Sequence, residues 1–242
     1  TKINGCSISY GKALTAYLLS IFGKYIPGKV FMLAARLTCY KEENAPLSKV
    51  IVCFFIENIC TLLGAAMLFI LSLFFFPNEL LGNYRWLTIL LIAAFFICIH
   101  PKIINAVLKV IGKIFKKELE IPMKYSQILK VVLMFIGNWL IVGYGFFILV
   151  RSVNPAVGWN EMLFCAGVFG ISAIMGILAI FAPSGLGVRE GIILAGLMLI
   201  MPESDAAVIS VISRLWQSIA ELTLAAGAFA VTLVTKRRRK TE

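Results

Sequence analysis

The sequence predicts an all-α polytopic integral membrane protein, with about four full transmembrane helices and two helical units broken by proline and glycine. Three observations lead there. First, 60% of the 242 residues are hydrophobic and only 14% are charged, and the mean hydropathy is +0.94. Second, several apolar stretches reach the roughly 20 residues that cross a bilayer of about 30 Å. They are continuously apolar instead of alternating, which excludes a β-barrel, and a soluble domain of this composition would not stay in solution. Third, the apolar run 162–201 is interrupted by Ala182-Pro183-Ser184-Gly185-Leu186-Gly187-Val188-Arg189-Glu190-Gly191. Lipid tolerates such backbone only where protein or a water-filled cavity surrounds it. Charges at that depth are costly and usually functional.

The net charge is +11, and its placement follows the positive-inside rule of membrane proteins, so no nucleic-acid partner is expected. Six cysteines (Cys6, Cys39, Cys53, Cys60, Cys98, Cys165) are scattered and form no ligand spacing with the single histidine, His100. They read as small hydrophobes, with no metal, no cofactor and no disulfide framework implied.

In chain order, the segment 13–37 is the first broken unit. Its apolar run 13–22 is too short to span, stops at Gly23-Lys24-Tyr25-Ile26-Pro27-Gly28-Lys29, and resumes over 30–37 with Arg36 inside it. Pro27 ends one helix and is well placed to start another. Residues 38–49 read as a loop, and 50–76 as the first full span, with Glu57, Asn58 and Thr61. A second span starts over 86–99, with Tyr84 and Trp86 as an interfacial belt. Residues 102–117 carry apolar side chains at helical spacing with Lys102, Lys109, Lys113 and Lys116 opposite them. That is either a basic amphipathic helix on the membrane surface or the span emerging into the cytoplasm. His100 reads as a cap or interfacial residue. Residues 128–150 form the third span, with Gly137, Gly143 and Gly145 expected to allow close helix approach. The second broken unit, 162–201, follows. Residues 206–234 form the last span, and 235–242 a basic tail.

Lysine and arginine counts place the loop 38–49, the region 100–127 and the tail in the cytoplasm. The unit 162–201 then leaves from and returns to the outer side, as a re-entrant hairpin or two short tilted helices. The first unit does the same from the inner side.

Two interrupted segments in corresponding halves are the best sequence pointer to a transport site. A helix restarting after a break offers unpaired N–H groups and a positive dipole end, and Lys29 or Arg189 adds full charge beside it. On the last span Ser210, Ser213, Arg214, Gln217, Ser218 and Glu221 recur at three- and four-residue spacing as one polar stripe, lining a cavity or forming a hydrogen-bond seam. Arg214 needs a partner in either case, and Glu190 or Glu57 can supply it; Glu57 is equally suited to Arg36 or Arg189. Lys29, Arg189 and Arg214 are thus the expected head-group ligands. Glu57, Glu190 and Glu221 are their charge partners. Pro27, Gly28, Pro183, Gly185, Gly187 and Gly191 supply the broken backbone. No residue set suggests a catalytic site.

The ordered motifs Gly23-Lys24-Tyr25-Ile26-Pro27-Gly28-Lys29, Pro183-Ser184-Gly185-Leu186-Gly187-Val188-Arg189-Glu190-Gly191 and Arg214-Leu215-Trp216 resemble those of the lysylphosphatidylglycerol synthase transmembrane-domain family. That family includes the flippase half of the multiple peptide resistance factor. One departure is Ser184, where the family usually has glycine. No aminoacyl-transfer domain follows Lys240, so the resemblance implies lipid translocation or binding instead of lysine transfer. It implies an anionic or isoprenoid-linked phospholipid or glycolipid, in a bacterial cytoplasmic (inner) membrane with the C-terminus cytoplasmic. It also implies that 1–242 is a single transmembrane domain whose family's first spans precede Thr1. Membrane lipids are the expected partners, with an envelope-biosynthesis protein or a second copy as further ones. The alternatives are a non-catalytic scaffold of an envelope polysaccharide or lipid-modification system and a membrane glycosyl- or acyltransferase.

Overall fold

The computed structural model describes residues 10–25, 30–41, 46–76, 85–115, 120, 123–179 and 182–241. Among them all regular structure is helical, with no strand. Helices α1 (Tyr10–Ser20) and α2 (Val30–Lys41) flank a 3-10 turn at Ile21–Tyr25. Helix α3 (Leu47–Phe75) follows, then α4 (Arg85–Cys98), α5 (Pro101–Phe115) and α6 (Tyr125–Val153). Helices α7 (Met162–Leu178) and α8 (Val188–Leu197) flank the turn Pro183–Gly185, and α9 (Glu203–Thr241) closes the chain.

The longest continuously apolar runs became the central helices. Helices α3 and α6 have 29 residues each, about 43 Å at 1.5 Å per residue. Among the described residues they, together with Trp159–Leu178, are long and apolar enough to cross a membrane. Helix α9 carries its polar stripe through the middle, and the basic run near the C-terminus continues its helix. The second broken unit is therefore unequal. Its first limb can cross a bilayer alone, whereas α8 has 10 residues and reaches about half-way.

Pro46 starts α3 by accepting from the N–H groups of Lys49 and Val50 at 3.0 and 3.3 Å. His100 starts α5: its carbonyl accepts from Ile103 at 2.9 Å, and its Nδ1 accepts from the Lys102 N–H at 3.2 Å. Pro101 stands at the first helical position, where no N–H is needed. The chain consequently turns by 67° between α4 and α5. The bend lays α5 across the direction of α4, and by length and composition the two together also qualify as one broken span, since α4, at 14 residues, is too short to cross alone.

Small residues let α3, α6 and α7 pack closely. A methyl group at Gly143 of α6 would overlap Ala166 of α7, one at Gly167 of α7 would overlap Ser72 of α3, and one at Gly64 of α3 would press on the backbone of α6 at Ile136. Phe146, Phe147, Phe169, Ile193, Leu197 and Ile209 fill the space between α6, α7, α8 and α9. Gly137 departs from expectation, since nothing lies within 4 Å of a methyl placed there. Gly145 makes only ordinary contact with the Trp216 ring. Of the cysteines, Cys60 and Cys165 are buried as expected, but Cys98 is exposed at the end of α4.

These two glycines separate packing from helix propensity. Propensity alone favours alanine at both, by up to about 1 kcal/mol. The packing instead predicts that Gly143→Ala lowers stability by about 1–3 kcal/mol, while Gly137→Ala is neutral or stabilising. Thermal unfolding of the two variants in the same detergent checks the pair.

Candidate functional site

The two interrupted units meet. The turn Ile21–Tyr25 packs against the turn Pro183–Gly185, and both the first turn and α8 pack on α9. The motif residues Pro27, Gly28 and Lys29 lie outside the described residues, so the first break is represented by its preceding turn. Gly23 fixes the approach there, because any side chain would run into the backbone of Phe31 and Met32 on α2.

In the second break the backbone turns left-handed. Ser184 has φ +54°, Gly185 +71° and Gly187 +81°. Left-handed backbone costs an L-residue about 1–2 kcal/mol. Gly185 is additionally pressed against Gly176 of α7, so both positions need glycine for space. Gly176 also makes room for the stem of Arg189, whose guanidinium lies 5.4 Å from the centre of the Phe169 ring. Gly191, by contrast, faces open space.

Arg214 fastens this break to α9. Its Nη2 donates to the Ser184 carbonyl at 3.0 Å, and its Nε stands 2.8 Å from Glu190 Oε1, an ion pair without hydrogen-bond alignment. Both side chains are largely buried. Glu190 Oε2 and Gln217 Oε1 are buried with no hydrogen-bond partner among the described residues. One turn beyond, the Gln217 amide donates to Glu221 Oε1 at 2.8 Å. The stripe does face inward: Ser210, Ser213 and Arg214 are buried and Gln217, Ser218 and Glu221 are half-buried, while Val211, Leu215 and Ile219 face out. Ser210 and Ser213 donate to the carbonyls three residues back, at 2.8 Å each, so their hydroxyls are satisfied within the helix.

A second charged cluster sits at the first unit. Arg36 of α2 makes a bidentate pair with Glu57 of α3, Nη1 to Oε2 at 2.7 Å and Nη2 to Oε1 at 2.8 Å. Its Nε donates to Ser20 at the end of α1, at 3.2 Å, and Ser20 in turn donates to the Tyr17 carbonyl at 2.6 Å. Its guanidinium lies 4.9 Å from the Tyr17 ring centre and 5.2 Å from that of Phe54. Arg36 thus ties both limbs of the first unit to α3. A cavity of about 330 Å³ opens beside it, lined by Tyr17, Arg36, Tyr40, Cys53, Glu57 and the start of α6. Helix α1, which carries Tyr17, packs on α9, which carries Glu221. The polar stripe of α9 and the Arg36–Glu57 cluster are thus bridged by α1, which lines the cavity with Tyr17 and packs on α9.

The structure brings Glu190 to Arg214 but takes Glu57 to Arg36. The sequence offers Arg36 only as one of three partners for Glu57. Its pattern does not single out Ser20, Tyr17, Tyr40 or the Ser184 carbonyl. Arg36 was visible as the lone charge in the apolar run 30–37. Trp139 is a packing residue, its Nε1 donating to the Thr61 carbonyl at 3.0 Å. Among the described residues no group of three or more His, Cys, Asp or Glu side chains is placed to hold a metal.

Two outcomes follow from this geometry. Removing one partner of the first pair, as in Arg36→Ala or Glu57→Ala, leaves a partly buried charge and lowers stability by about 3 kcal/mol. The double variant Arg36→Leu/Glu57→Leu recovers most of the loss, as thermal unfolding in a double-mutant cycle shows. Ser184→Gly removes the left-handed penalty and raises stability by up to about 1 kcal/mol, whereas Gly185→Ala lowers it.

No curated protein and no solved structure matches the chain significantly. A family model described as the lysylphosphatidylglycerol synthase TM region matches residues 2–225. That match covers both interrupted units, the Arg36–Glu57 pair and the α9 stripe, and the chain therefore belongs to the lysylphosphatidylglycerol synthase transmembrane-region family.

Proposed function

We propose that the protein binds a lipid with an anionic, phosphate-bearing head group and moves it between the leaflets of a bacterial cytoplasmic membrane, with its C-terminus on the cytoplasmic side. The observation that carries this reading is the meeting of both interrupted units on the polar face of α9. Burying charge in an apolar core costs several kcal/mol per ion, and here two ion pairs are retained within it. Family membership points to the handling of membrane lipid.

In this reading a head-group phosphate competes with Glu190 for Arg214. An exchange of one anion for another keeps the arginine paired at every stage, so no step leaves a bare charge in the membrane. Arg189 and the N-terminal turn of α8 add positive potential on the same side. Hydroxyl groups of the head group donate to the acceptor oxygens Glu190 Oε2 and Gln217 Oε1, which suits a glycerol- or sugar-bearing phospholipid. Lys29 serves as the corresponding cation of the first unit. The Arg36–Glu57 cavity shelters polar groups on the inner half of the path.

A second reading is a membrane scaffold without transport. It is favoured by the serines of α9, which bond within their own helix, and by the paired state of both arginines. The two differ in what neutral charge swaps do. In proteoliposomes carrying a fluorescent phosphatidylglycerol, Arg214→Gln and Glu190→Gln/Arg214→Gln should slow translocation by about tenfold or more, the loss of one charged hydrogen bond. Translocation unchanged in a folded double variant contradicts transport through this cluster.

A further inference from the structure

One charged surface takes no part in either cluster: the elbow between α4 and α5. We propose that this elbow is a docking site for an anionic glycerophospholipid of the leaflet in which α5 lies. The phosphate sits at the His100–Lys102 corner and an acyl chain lies along Phe96, Ile97 and Ile103.

The 67° turn opens a cleft of about 530 Å³ lined by Phe96, Ile97, His100, Lys102, Ile103 and Tyr125. Its chemistry is two-sided. Phe96, Ile97 and Ile103 give an apolar wall matched to an acyl chain. Lys102 and His100 give the polar corner. Because His100 Nδ1 accepts from the Lys102 N–H, the neutral ring carries its proton on Nε2 and is a donor there.

The surface around the cleft is built for an anion at an apolar boundary. Ile104 and Leu108 of α5 are buried against the core, while Val110 and Ile114 are 62% and 75% exposed. That open apolar strip lies along a helix that also carries Lys102, Lys109 and Lys113, the arrangement of a helix lying in the head-group plane. Lys124 and Lys130, at the start of α6, are exposed as well. Among the described residues only Lys109 of these five has an acidic partner, Glu120 at 3.3 Å, on the open surface. A zwitterionic head group brings its own cation and leaves this excess uncompensated. An anionic phosphate compensates it. An apolar protein helix in the cleft would cover the wall and leave the lysines without counter-charge.

The test uses the full chain in proteoliposomes containing equal amounts of phosphatidylglycerol and phosphatidylcholine, each bearing a diazirine in its acyl chain. After photolysis, adducts are mapped on peptides. The elbow peptide spanning 96–103 should take phosphatidylglycerol over phosphatidylcholine by about fivefold or more, since each surface lysine is worth roughly that factor with anionic lipid. The outward face of α9, at Leu215 and Ile219, should show no preference. Lys102→Gln/Lys113→Gln and raised salt should both bring the elbow ratio close to one. Equal labelling at the elbow in the wild type overturns the proposal, and does so even if the double variant fails to fold. A preference equally strong on α9, a ratio unchanged in the folded double variant, or no lipid adduct at 96–103 overturns it too. The readout is binding in a resting bilayer, so it stands apart from any loss of translocation.

Discussion

A buried guanidinium must find acceptors, and a broken helix inside a membrane must find donors for its freed carbonyls. Arg214 answers both needs at once. It donates to the Ser184 carbonyl, which the left-handed turn has released from helical bonding, and it pairs with Glu190 on the limb that restarts. This one side chain fixes the turn and α8 relative to α9. Arg36 does the equivalent work in the first unit, joining Ser20 at the end of α1 to Glu57 of α3 from its place on α2. Each interruption is thus held by an arginine, and each arginine reaches an acid on a different helix. Glycine supplies the space: Gly176 admits the Arg189 stem, and Gly185 lies against Gly176 where any side chain would collide.

Much of this was legible because the apolar pattern is strong. Spans expected at 50–76 and 128–150 appear as Leu47–Phe75 and Tyr125–Val153, since long apolar runs leave little choice of structure. Proline and glycine marked the second break, while Pro27 and Gly28 of the first lie outside the described residues, and spacing on α9 found its inward face. The pairing was less legible. Glu57 had three arginines to choose from, and only the packing of α2 on α3 selected Arg36. Gly137 and Gly143 look alike in sequence, yet only Gly143 meets a neighbour, because a six-residue step turns the helix to another face. The unequal limbs of the second unit were hidden too, for the break at 182–191 is marked in the sequence, but the lengths of the helices either side, 17 residues in α7 and 10 in α8, are not.

Ser184 shows how local strain and tertiary contact trade against each other. The position calls for glycine by its φ, and serine pays with backbone strain. The strain is confined to a residue whose carbonyl is gripped by Arg214, so the surrounding contacts hold a conformation that the local sequence disfavours. Past Arg214 on the same helix, Gln217 and Glu221 continue the polar stripe, joined by their own hydrogen bond, without a further break in α9.

The central claim is that a lipid head group enters the polar stripe of α9 where the two interrupted units meet. A photo-crosslinking amino acid placed at Gln217, which faces inward, and separately at Leu215, which is 58% exposed on the same helix, tests it most directly. After photolysis in native membranes and mass spectrometry of the adducts, position 217 should capture phosphate-bearing lipid through its head group, and position 215 should capture acyl chains alone. Acyl-chain adducts at both positions, or no lipid at 217, would contradict the account.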